Sequence, residues 1–275
     1  MHLFRYTTSI YGAGDQLAGA NWGLIPWFIG AAAAFCLAHL VFKVAFPHRR
    51  RSELEARRPD QPGVRVLRHA LIDRLYHWTM AIAVFTLLGT AFLPIAGVRF
   101  AWLNIHWITG LVLALLVLIH IVRALVWQDW RQIVPVAYDV RLAVAAMRGG
   151  DHPRLKPGKY NPLQKLYHLA IAILVLTMVV TGLLMLLKID TPFWPRNPYV
   201  FSAATWAIIY VAHDFAAMAI LGLVIIHIYF GLRPDEWPYL RAMARGWMSR
   251  SEFDERHDEQ RWPLSKQSAT QPPAK

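Results

Sequence analysis

Long apolar blocks alternate with shorter polar segments along the chain. The blocks cover about 22–46, 75–97, 103–127, 166–187 and 205–231. Each holds about 20 or more residues, the length that an α-helix needs to cross the hydrocarbon core of a bilayer. Because no water is present there to hydrogen-bond the backbone, each block must be helical. The pattern therefore predicts an all-α integral membrane protein with five transmembrane helices.

The polar segments between the blocks differ in character. Residues 47–67 are rich in charge, lack apolar periodicity over most of their length and predict a cytoplasmic linker. Within 128–164, apolar residues recur at helical spacing up to Gly149–Gly150, which predicts a helix on the membrane surface. A second interfacial helix is predicted by the spacing of Trp237, Leu240, Met243 and Trp247. We expect the polar tail from about Glu252 to be mobile or laid on a partner.

Charge predicts how the helices are oriented. The chain has 275 residues, is 56% apolar and carries a net charge of +12. Nucleic-acid binding is the usual reason for such a charge, but five membrane blocks explain the composition better, so we expect no nucleic-acid partner. Of the 29 lysines and arginines, 25 lie in 43–74, 123–165 and 233–275. The positive-inside rule places these segments in the cytoplasm, with the N-terminus outside a bacterial inner membrane and the C-terminus inside.

Two further features bound the chemistry. The first block starts only after 21 residues and lacks a basic leader, so we interpret it as a retained helix and not as a signal peptide. Cys36 is the single cysteine, which leaves no thiolate cluster for zinc or iron–sulfur. The sequence also shows no nucleophile motif and no phosphate loop. Any substrate chemistry or iron–sulfur centre must therefore come from a partner.

Six histidines lie inside or at the ends of the last four apolar blocks. His106 and His120 are fourteen residues apart, and so are His213 and His227. Fourteen residues is nearly four helical turns, so each pair stays on one helix face, separated by roughly 21 Å along the axis. Intramembrane histidines are rare and usually functional. Two imidazoles at two depths of one helix are what a pair of haems, one near each leaflet, requires.

Each haem needs two histidines at one depth on facing helices. The outer level offers only His106 and His213. The inner level offers four candidates, between which depth does not choose: His77, His120, His168 and His227. Iron with two axial imidazoles is low-spin and passes one electron without binding substrate. Without a CxxCH motif the haems would be held non-covalently, as b-type.

Glycine also recurs within the predicted helices that carry these histidines. It occurs at Gly89, Gly110, Gly182 and Gly222. A residue without a side chain lets a flat macrocycle lie close to the backbone, but in membrane helices it more often permits helix–helix contact. Both interpretations remain open from the sequence.

Five stretches in helices two to five carry a family resemblance. They are LIDRLYHW (Leu71–Trp78), HWITG (His106–Gly110), GKYNPLQK (Gly158–Lys165), HDFAAM (His213–Met218) and LVIIHIYF (Leu223–Phe230). Together they resemble the cytochrome b (gamma) subunit of respiratory formate dehydrogenases, in a wider family with the b-type cytochrome subunits of thiosulfate reductases and hydrogenases. The resemblance implies a four-helix di-haem domain over 68–250. The helix at 22–46 is additional to it, as are an extracytoplasmic segment at 1–21 and a cytoplasmic tail at 251–275.

The resemblance also implies the ligands. Carried over by motif, His77 and His227 bind the inner haem iron, and His106 and His213 bind the outer. His120 and His168 are then left without iron.

A quinone site is implied beside the inner haem. The KYNxxQ motif that borders it in the family corresponds here to Tyr160, Asn161 and Gln164, with Lys165 as a neighbour. An amide can donate to a quinone carbonyl, and His168, one turn after Gln164, can relay protons. Asn161 before Pro162 is equally typical of a helix start, and both roles are compatible.

The sequence thus predicts a membrane-anchoring subunit with two haem b groups. The implied partners are an iron–sulfur subunit and a molybdenum or tungsten catalytic subunit, and electrons would reach menaquinone or ubiquinone at the cytoplasmic side. Quinone reduction is the only chemistry expected of the chain itself. One alternative is quinol oxidation for a thiosulfate- or polysulfide-type reductase, and another is a hydrogenase cytochrome. A histidine-dependent transporter would leave the matched histidine levels unexplained.

Overall fold

Five long helices correspond to the five apolar blocks in a computed structural model, which describes residues 2–8, 15–45, 64–147 and 155–264. They are α1 (Ile25–Ala45), α2 (Leu71–Phe92), α3 (Trp102–Val126), α5 (Pro162–Met185) and α6 (Ala203–Leu232). All five are long and apolar enough to cross a membrane. The predicted all-α, multi-pass membrane fold is confirmed.

The second helix departs from its predicted bounds. It was expected over about 75–97, but α2 begins at Leu71 and ends at Phe92. Pro94 explains the end, because the residue before a proline is disfavoured in the α conformation. The chain then turns at Gly97, whose φ of +92° is readily adopted by glycine.

The chain divides into two compact units, each containing part of every long helix. The first comprises Met1–Ala33, Trp78–Arg123 and Ala170–Ile226, and the second comprises Ala34–His77, Ala124–Leu169 and His227–Lys275. The core of the first unit is made by α2, α3, α5 and α6. Its buried side chains are Ala83, Leu87, Leu113, Val117, Val175 and Ile220.

An N-terminal hairpin, which the sequence did not predict, completes the first unit. Strands β1 (Phe4–Thr8) and β2 (Asp15–Ala20) pair antiparallel. The hairpin is fastened to α6, because the Asp214 carboxylate accepts from the backbone N–H of Ala20 at 3.0 Å and lies 3.7 Å from Arg5. Ala20, Leu24 and Met218 form a small buried cluster beneath it.

The second unit contains shorter α-helices and a second pair of strands. Helix α4 (Ala137–Met147) and helix α7 (Trp237–Arg245) form where the apolar spacing predicts helices. Helix α7 ends at Gly246, at a φ of +95°, so Trp247 lies in a strand and not in the helix. That strand, β4 (Trp247–Ser249), pairs antiparallel with β3 (Arg65–Leu67). A last helix, α8 (Arg250–Arg256), starts with a capping box between Ser249 and Glu252.

The prediction of a mobile tail from Glu252 is wrong for residues up to 264. Phe253 and Trp262 are 0% and 1% exposed and pack with Val66 and Met248 in a separate apolar core. The tail folds because these two aromatic side chains pack against the apolar side chains of β3 and β4. The rest of the tail (265–275), most of the predicted linker (47–63) and Gly149–Gly150 lie outside the described residues.

Candidate haem and quinone sites

The outer pair of histidines, His106 and His213, is brought together in the first unit. His106 lies in the second turn of α3, and His213 lies in the first half of α6. Their ring centroids are 6.4 Å apart and their planes make an angle of 62°. Both rings are partly buried. The facing arrangement expected of two axial ligands is therefore present.

The inner pair, His77 and His227, is brought together in the second unit. His77 lies in the second turn of α2, and His227 lies near the end of α6. Their ring centroids are 6.2 Å apart, with an interplanar angle of 52°. The ring of Tyr167 stacks on His227, with centroids 5.3 Å apart and planes 19° apart. His120, an open alternative at the inner level, falls in the first unit, and His168 falls in the second.

Both separations fit an iron between two imidazoles. A metal–imidazole nitrogen bond is about 2 Å long, and the centre of the ring lies about 1.2 Å beyond the nitrogen. Two rings on opposite sides of one iron therefore have centroids about 6.4 Å apart. Direct ring stacking would bring the centroids closer and the planes nearer to parallel. The donor set suits haem, since neutral imidazole is a usual axial ligand.

Two of the four glycines differ in what surrounds them. A Cβ added at Gly222 would lie 3.5 Å from the carbonyl oxygen of Phe28 and 3.8 Å from Cβ of Ala32, so this glycine permits the close approach of α1 to α6. A Cβ added at Gly182 would lie 3.5 Å from Cε1 of His213. Gly182 thus keeps α5 free of side-chain bulk beside an outer histidine, as a flat macrocycle there requires.

Two threonines form hydrogen bonds with the outer pair. Neither was predicted from the sequence to be a site residue. Thr90 Oγ1 lies 2.7 Å from Nδ1 of His106, and Thr181 Oγ1 lies 2.8 Å from Nδ1 of His213. Both threonines are buried, with 4% and 7% of their surface exposed. A sequence signal existed, because each is the second threonine of a TxxxT segment, at Thr86–Thr90 and Thr177–Thr181.

The amides of the predicted quinone site form a reciprocal cap at the start of α5. The Asn161 side-chain oxygen accepts from the backbone N–H of Gln164 at 2.8 Å, and the Gln164 side-chain oxygen accepts from the backbone N–H of Asn161 at 3.1 Å. The helix-start interpretation of Asn161 and Pro162 is therefore correct. The cap uses only the amide oxygens, and neither NH2 group has a hydrogen-bond partner in the described part of the chain. Both remain available as donors.

Lys165 and Tyr160 lie next to this cap. The Lys165 ammonium bonds Asp139 at 2.9 Å, with both side chains about one-tenth exposed or less, and this ion pair ties α4 to α5. A cleft of about 170 Å³ opens beside Tyr160 and Lys165. Its other polar lining residues include Asp139, Lys159 and Arg261. Asn161, Gln164 and His168 do not line this cleft.

Two basic side chains, Arg68 and Lys159, lie close together at the segment that precedes α5. Arg68 is 3% exposed and donates to the carbonyl oxygen of Lys159 at 2.7 Å. Burial, and then the charge of Arg68, lower the pKa of Lys159 to about 8. Lys159 can therefore exchange a proton near neutral pH at the mouth of this helix.

His257 lies in the tail that we expected to be mobile or laid on a partner, but it is buried at 3% exposure. That prediction is wrong because the tail folds. His257 Nδ1 lies 2.7 Å from the carbonyl oxygen of Gly158, to which it donates, so Nε2 accepts from Arg68 at 3.0 Å. Burial, and then the charge of Arg68, lower the pKa of His257 to about 3. Of the other histidines in polar segments, His2 is exposed, and His48 and His152 lie outside the described residues.

Comparisons with known proteins agree with the resemblance drawn from the motifs. The model of the prokaryotic cytochrome b561 family matches residues 68–246. The formate dehydrogenase cytochrome b556 subunit of Haemophilus influenzae is 26% identical over 205 residues, covering 67% of this chain and 77% of that protein. The cytochrome b556(Fdn) subunit of the nitrate-inducible formate dehydrogenase of Escherichia coli K12 is 24% identical over 213 residues, covering 72% and 89%. The family implies haem b as the cofactor. With all four facing histidines inside the matched region, the chain belongs to the prokaryotic cytochrome b561 family.

Proposed function

We propose that this protein is the membrane-anchoring cytochrome b subunit of a formate dehydrogenase complex, with two haem b groups. It carries electrons from an extracytoplasmic iron–sulfur subunit, served by a molybdenum or tungsten catalytic subunit, to quinone at the cytoplasmic side of the bacterial inner membrane. The names of the two relatives support formate as the donor of the complex. The distribution of basic residues supports the orientation.

The observation that carries the proposal is the pairing of four histidines into two facing sets, at 6.2 and 6.4 Å. Haem iron held by two imidazoles supplies one-electron transfer without an open coordination position. His106 and His213 hold one group and His77 and His227 the other. All four come from α2, α3 and α6, so the chain fixes both groups on rigid helices. With two histidines holding each iron, the protein would leave no open position for a substrate there.

The quinone is held, in this proposal, at the start of α5. The NH2 groups of Asn161 and Gln164 donate to a quinone carbonyl, while their oxygens stay in the helix cap. Tyr160 and His168 flank these amides in the chain. Reduction of quinone needs two protons, and Lys159 exchanges protons near neutral pH on the same segment.

A haem count tests the proposal. The purified protein should show a b-type reduced-minus-oxidised spectrum and two haems per chain by pyridine haemochrome analysis. His106→Ala and His213→Ala should each remove the outer haem and leave the inner spectrum, halving the haem content. A colourless protein would reject the cytochrome assignment and favour the transporter. Two haems retained in either variant would reject the outer ligand set.

The inner ligands need a graded test, because four histidines were possible there from sequence. His77→Ala and His227→Ala should abolish the inner haem. His120→Ala and His168→Ala are the matched comparisons and should keep it. Loss of the inner haem in His120→Ala, with retention in His77→Ala, would move the ligand to α3.

The quinone site is tested with variants that keep the side-chain oxygens capping α5 but lack the NH2 groups. Asn161→Asp and Gln164→Glu keep the capping oxygens and remove the NH2 donors, so the helix start should remain intact. Each should lower the affinity for quinone by about ten- to a hundred-fold, the equivalent of one lost hydrogen bond of about 1–3 kcal/mol. Both haems should stay bound and reducible by the partner. Unchanged quinone reduction in both variants would place the exit site elsewhere.

A further inference from the structure

Each threonine hydroxyl beside the outer pair has three close polar neighbours. Thr90 Oγ1 lies 2.9 Å from the carbonyl oxygen of Thr86 and 2.7 Å from Nδ1 of His106. Thr181 Oγ1 lies 2.6 Å from the carbonyl oxygen of Thr177 and 2.8 Å from Nδ1 of His213. A second carbonyl of the same helix lies within 3.0 Å of Thr90 and 3.4 Å of Thr181. The same arrangement thus occurs on two different helices.

The number of protons available for these hydrogen bonds determines the tautomer of each histidine. A hydroxyl has one proton to donate, and a carbonyl oxygen can only accept. Bonding to the carbonyl one turn earlier is the usual state of a threonine within a helix, and it uses that proton. The hydroxyl oxygen then accepts, so the histidine must donate through Nδ1–H. The proton of each neutral ring is therefore on Nδ1, and the lone pair remains on Nε2.

Two neutral imidazoles with unprotonated Nε2 atoms, whose ring centroids lie 6.4 Å apart, can bind iron without losing a proton. The hydrogen bond has an electronic effect as well. An acceptor at Nδ1 draws that proton away from the ring and makes Nε2 a stronger electron donor. Stronger donation favours ferric over ferrous iron. At the inner pair, the ring of Tyr167 stacks on His227.

We propose that Thr90 and Thr181 are positioning residues that fix the Nδ1–H tautomer of His106 and His213 and keep the midpoint potential of the outer haem low. The inference rests on the proposed function, because it presumes that the outer pair binds haem. It adds a division of labour: histidines bind, and buried threonines on the neighbouring helices tune them. An outer haem of lower potential passes electrons more readily toward quinone.

Valine in place of each threonine tests the inference, because it keeps the shape and removes the hydroxyl. Thr90→Val and Thr181→Val, made in the full chain with haem bound, should each shift the midpoint potential of the outer haem upward in a spectroelectrochemical titration. The double variant should shift it further. The inner haem should titrate as before. The ferric electron paramagnetic resonance signal of the outer haem should change too, since the rings are no longer held at Nδ1.

Matched controls lie one turn away on the same helices. Among the residues that the structure describes, the hydroxyls of Thr86 and Thr177 bond only the carbonyls of Ile82 and Ile173. Thr86→Val and Thr177→Val should therefore leave both potentials unchanged. Thr90→Ser and Thr181→Ser should restore the low potential. If a valine variant loses the outer haem while its serine counterpart keeps it, the positioning role is supported. Loss in the control variants as well would overturn it.

The inference and the proposed function fail differently. An unaltered potential in Thr90→Val and Thr181→Val, with two haems present, would overturn the inference alone. Absence of haem at His106 and His213 in the wild-type protein would overturn the proposed function, and the inference with it. Comparison with His106→Ala, which lacks the outer haem, assigns each titration wave to its site.

Discussion

At the scale of single residues, the candidate outer haem site depends on residues that leave space for the macrocycle as well as on the histidines that would bind its iron. Gly182 shows this most directly. A Cβ there lies 3.5 Å from Cε1 of His213, which is ordinary van der Waals contact, so a methyl group fits. A longer side chain would enter the space beside the His213 ring that a porphyrin would occupy in the proposed outer site.

Gly182→Leu should therefore lose the outer haem and keep the inner one. Leucine is a good helix former, so α5 should remain folded and the variant should reach the membrane at normal levels. Absorbance of the purified variant, with haem counted per chain, measures the outcome. Gly182→Ala is the control and should keep both haems. Two haems in Gly182→Leu would contradict the close approach.

At the scale of elements, the second unit is held together by buried polar contacts between short segments. Arg68 and His257 form one of them, and it joins the start of the cytochrome region to the folded tail. The contact requires neutral His257, because Nε2 accepts from the guanidinium while Nδ1 donates to Gly158. Protonation would place two cations together in a buried position.

The tail should consequently loosen in acid. The pKa of His257 is lowered from about 6.5 when unfolded to about 3 when folded. The contact of neutral His257 with Arg68 contributes fully to stability above pH 6.5. Below that pH, His257 binds a proton in the unfolded protein but not in the folded one. Stability should fall by about 1.4 kcal/mol per pH unit between pH 6.5 and 3. Trp262 is buried in the same core. Because the chain has 12 tryptophans, the fluorescence of Trp262, which reports unfolding, is obtained as the difference between the protein and a Trp262→Phe variant.

His257→Gln is the matched variant for this pH dependence. Glutamine supplies an NH2 donor and an oxygen acceptor but does not titrate in this range. The acid-induced change in Trp262 fluorescence should be much weaker in it. An equal pH dependence in both proteins would assign the effect to another group.

A second buried contact ties α4 to α5. Asp139 bonds the Lys165 ammonium and also accepts from the backbone N–H of Val136 at 2.7 Å, at the start of α4. Removing one partner of a buried ion pair costs about 3–5 kcal/mol, because the other charge is left uncompensated. Lys165→Met should therefore lower the thermal unfolding midpoint of the detergent-purified protein.

A double-mutant cycle isolates this pair. Asp139→Ala should destabilise the protein at least as much as Lys165→Met, since it loses the contact with Val136 as well. The double variant should be less destabilised than the sum of the two single changes. Strict additivity would mean that the pair contributes no coupling energy.

At the scale of the whole molecule, the charge distribution predicts the orientation in the membrane. Cys36 is the only cysteine, so a Cys36→Ala background allows single-cysteine labelling. Tyr199→Cys, at a position 91% exposed, should react with a membrane-impermeant maleimide in intact spheroplasts. Gln260→Cys, also at an exposed position, should react only after lysis. The reverse pattern would place the quinone site on the outer side and remove its cytoplasmic proton supply.

The hydropathy of the chain was sufficient to predict all five long helices, because length and apolarity alone decide whether a segment can cross a bilayer. The spacing of His213 and His227 was sufficient to predict two levels of histidine on one face of α6. Motif resemblance supplied the family. These are properties of consecutive residues, and they do not depend on which other segment lies alongside.

Only the tertiary structure brought particular side chains from different helices together. The long helices are apolar all round, so their sequences do not indicate which face is turned toward a neighbour. The contact of Thr90 with His106 and that of Thr181 with His213 depend on this rotation, as does the pairing of His77 with His227. The folding of the tail around Trp262 likewise depends on a strand nearly 200 residues earlier in the chain. The sequence and its motif resemblance predicted which histidines pair, and packing determined how their rings lie and which side chains hold them.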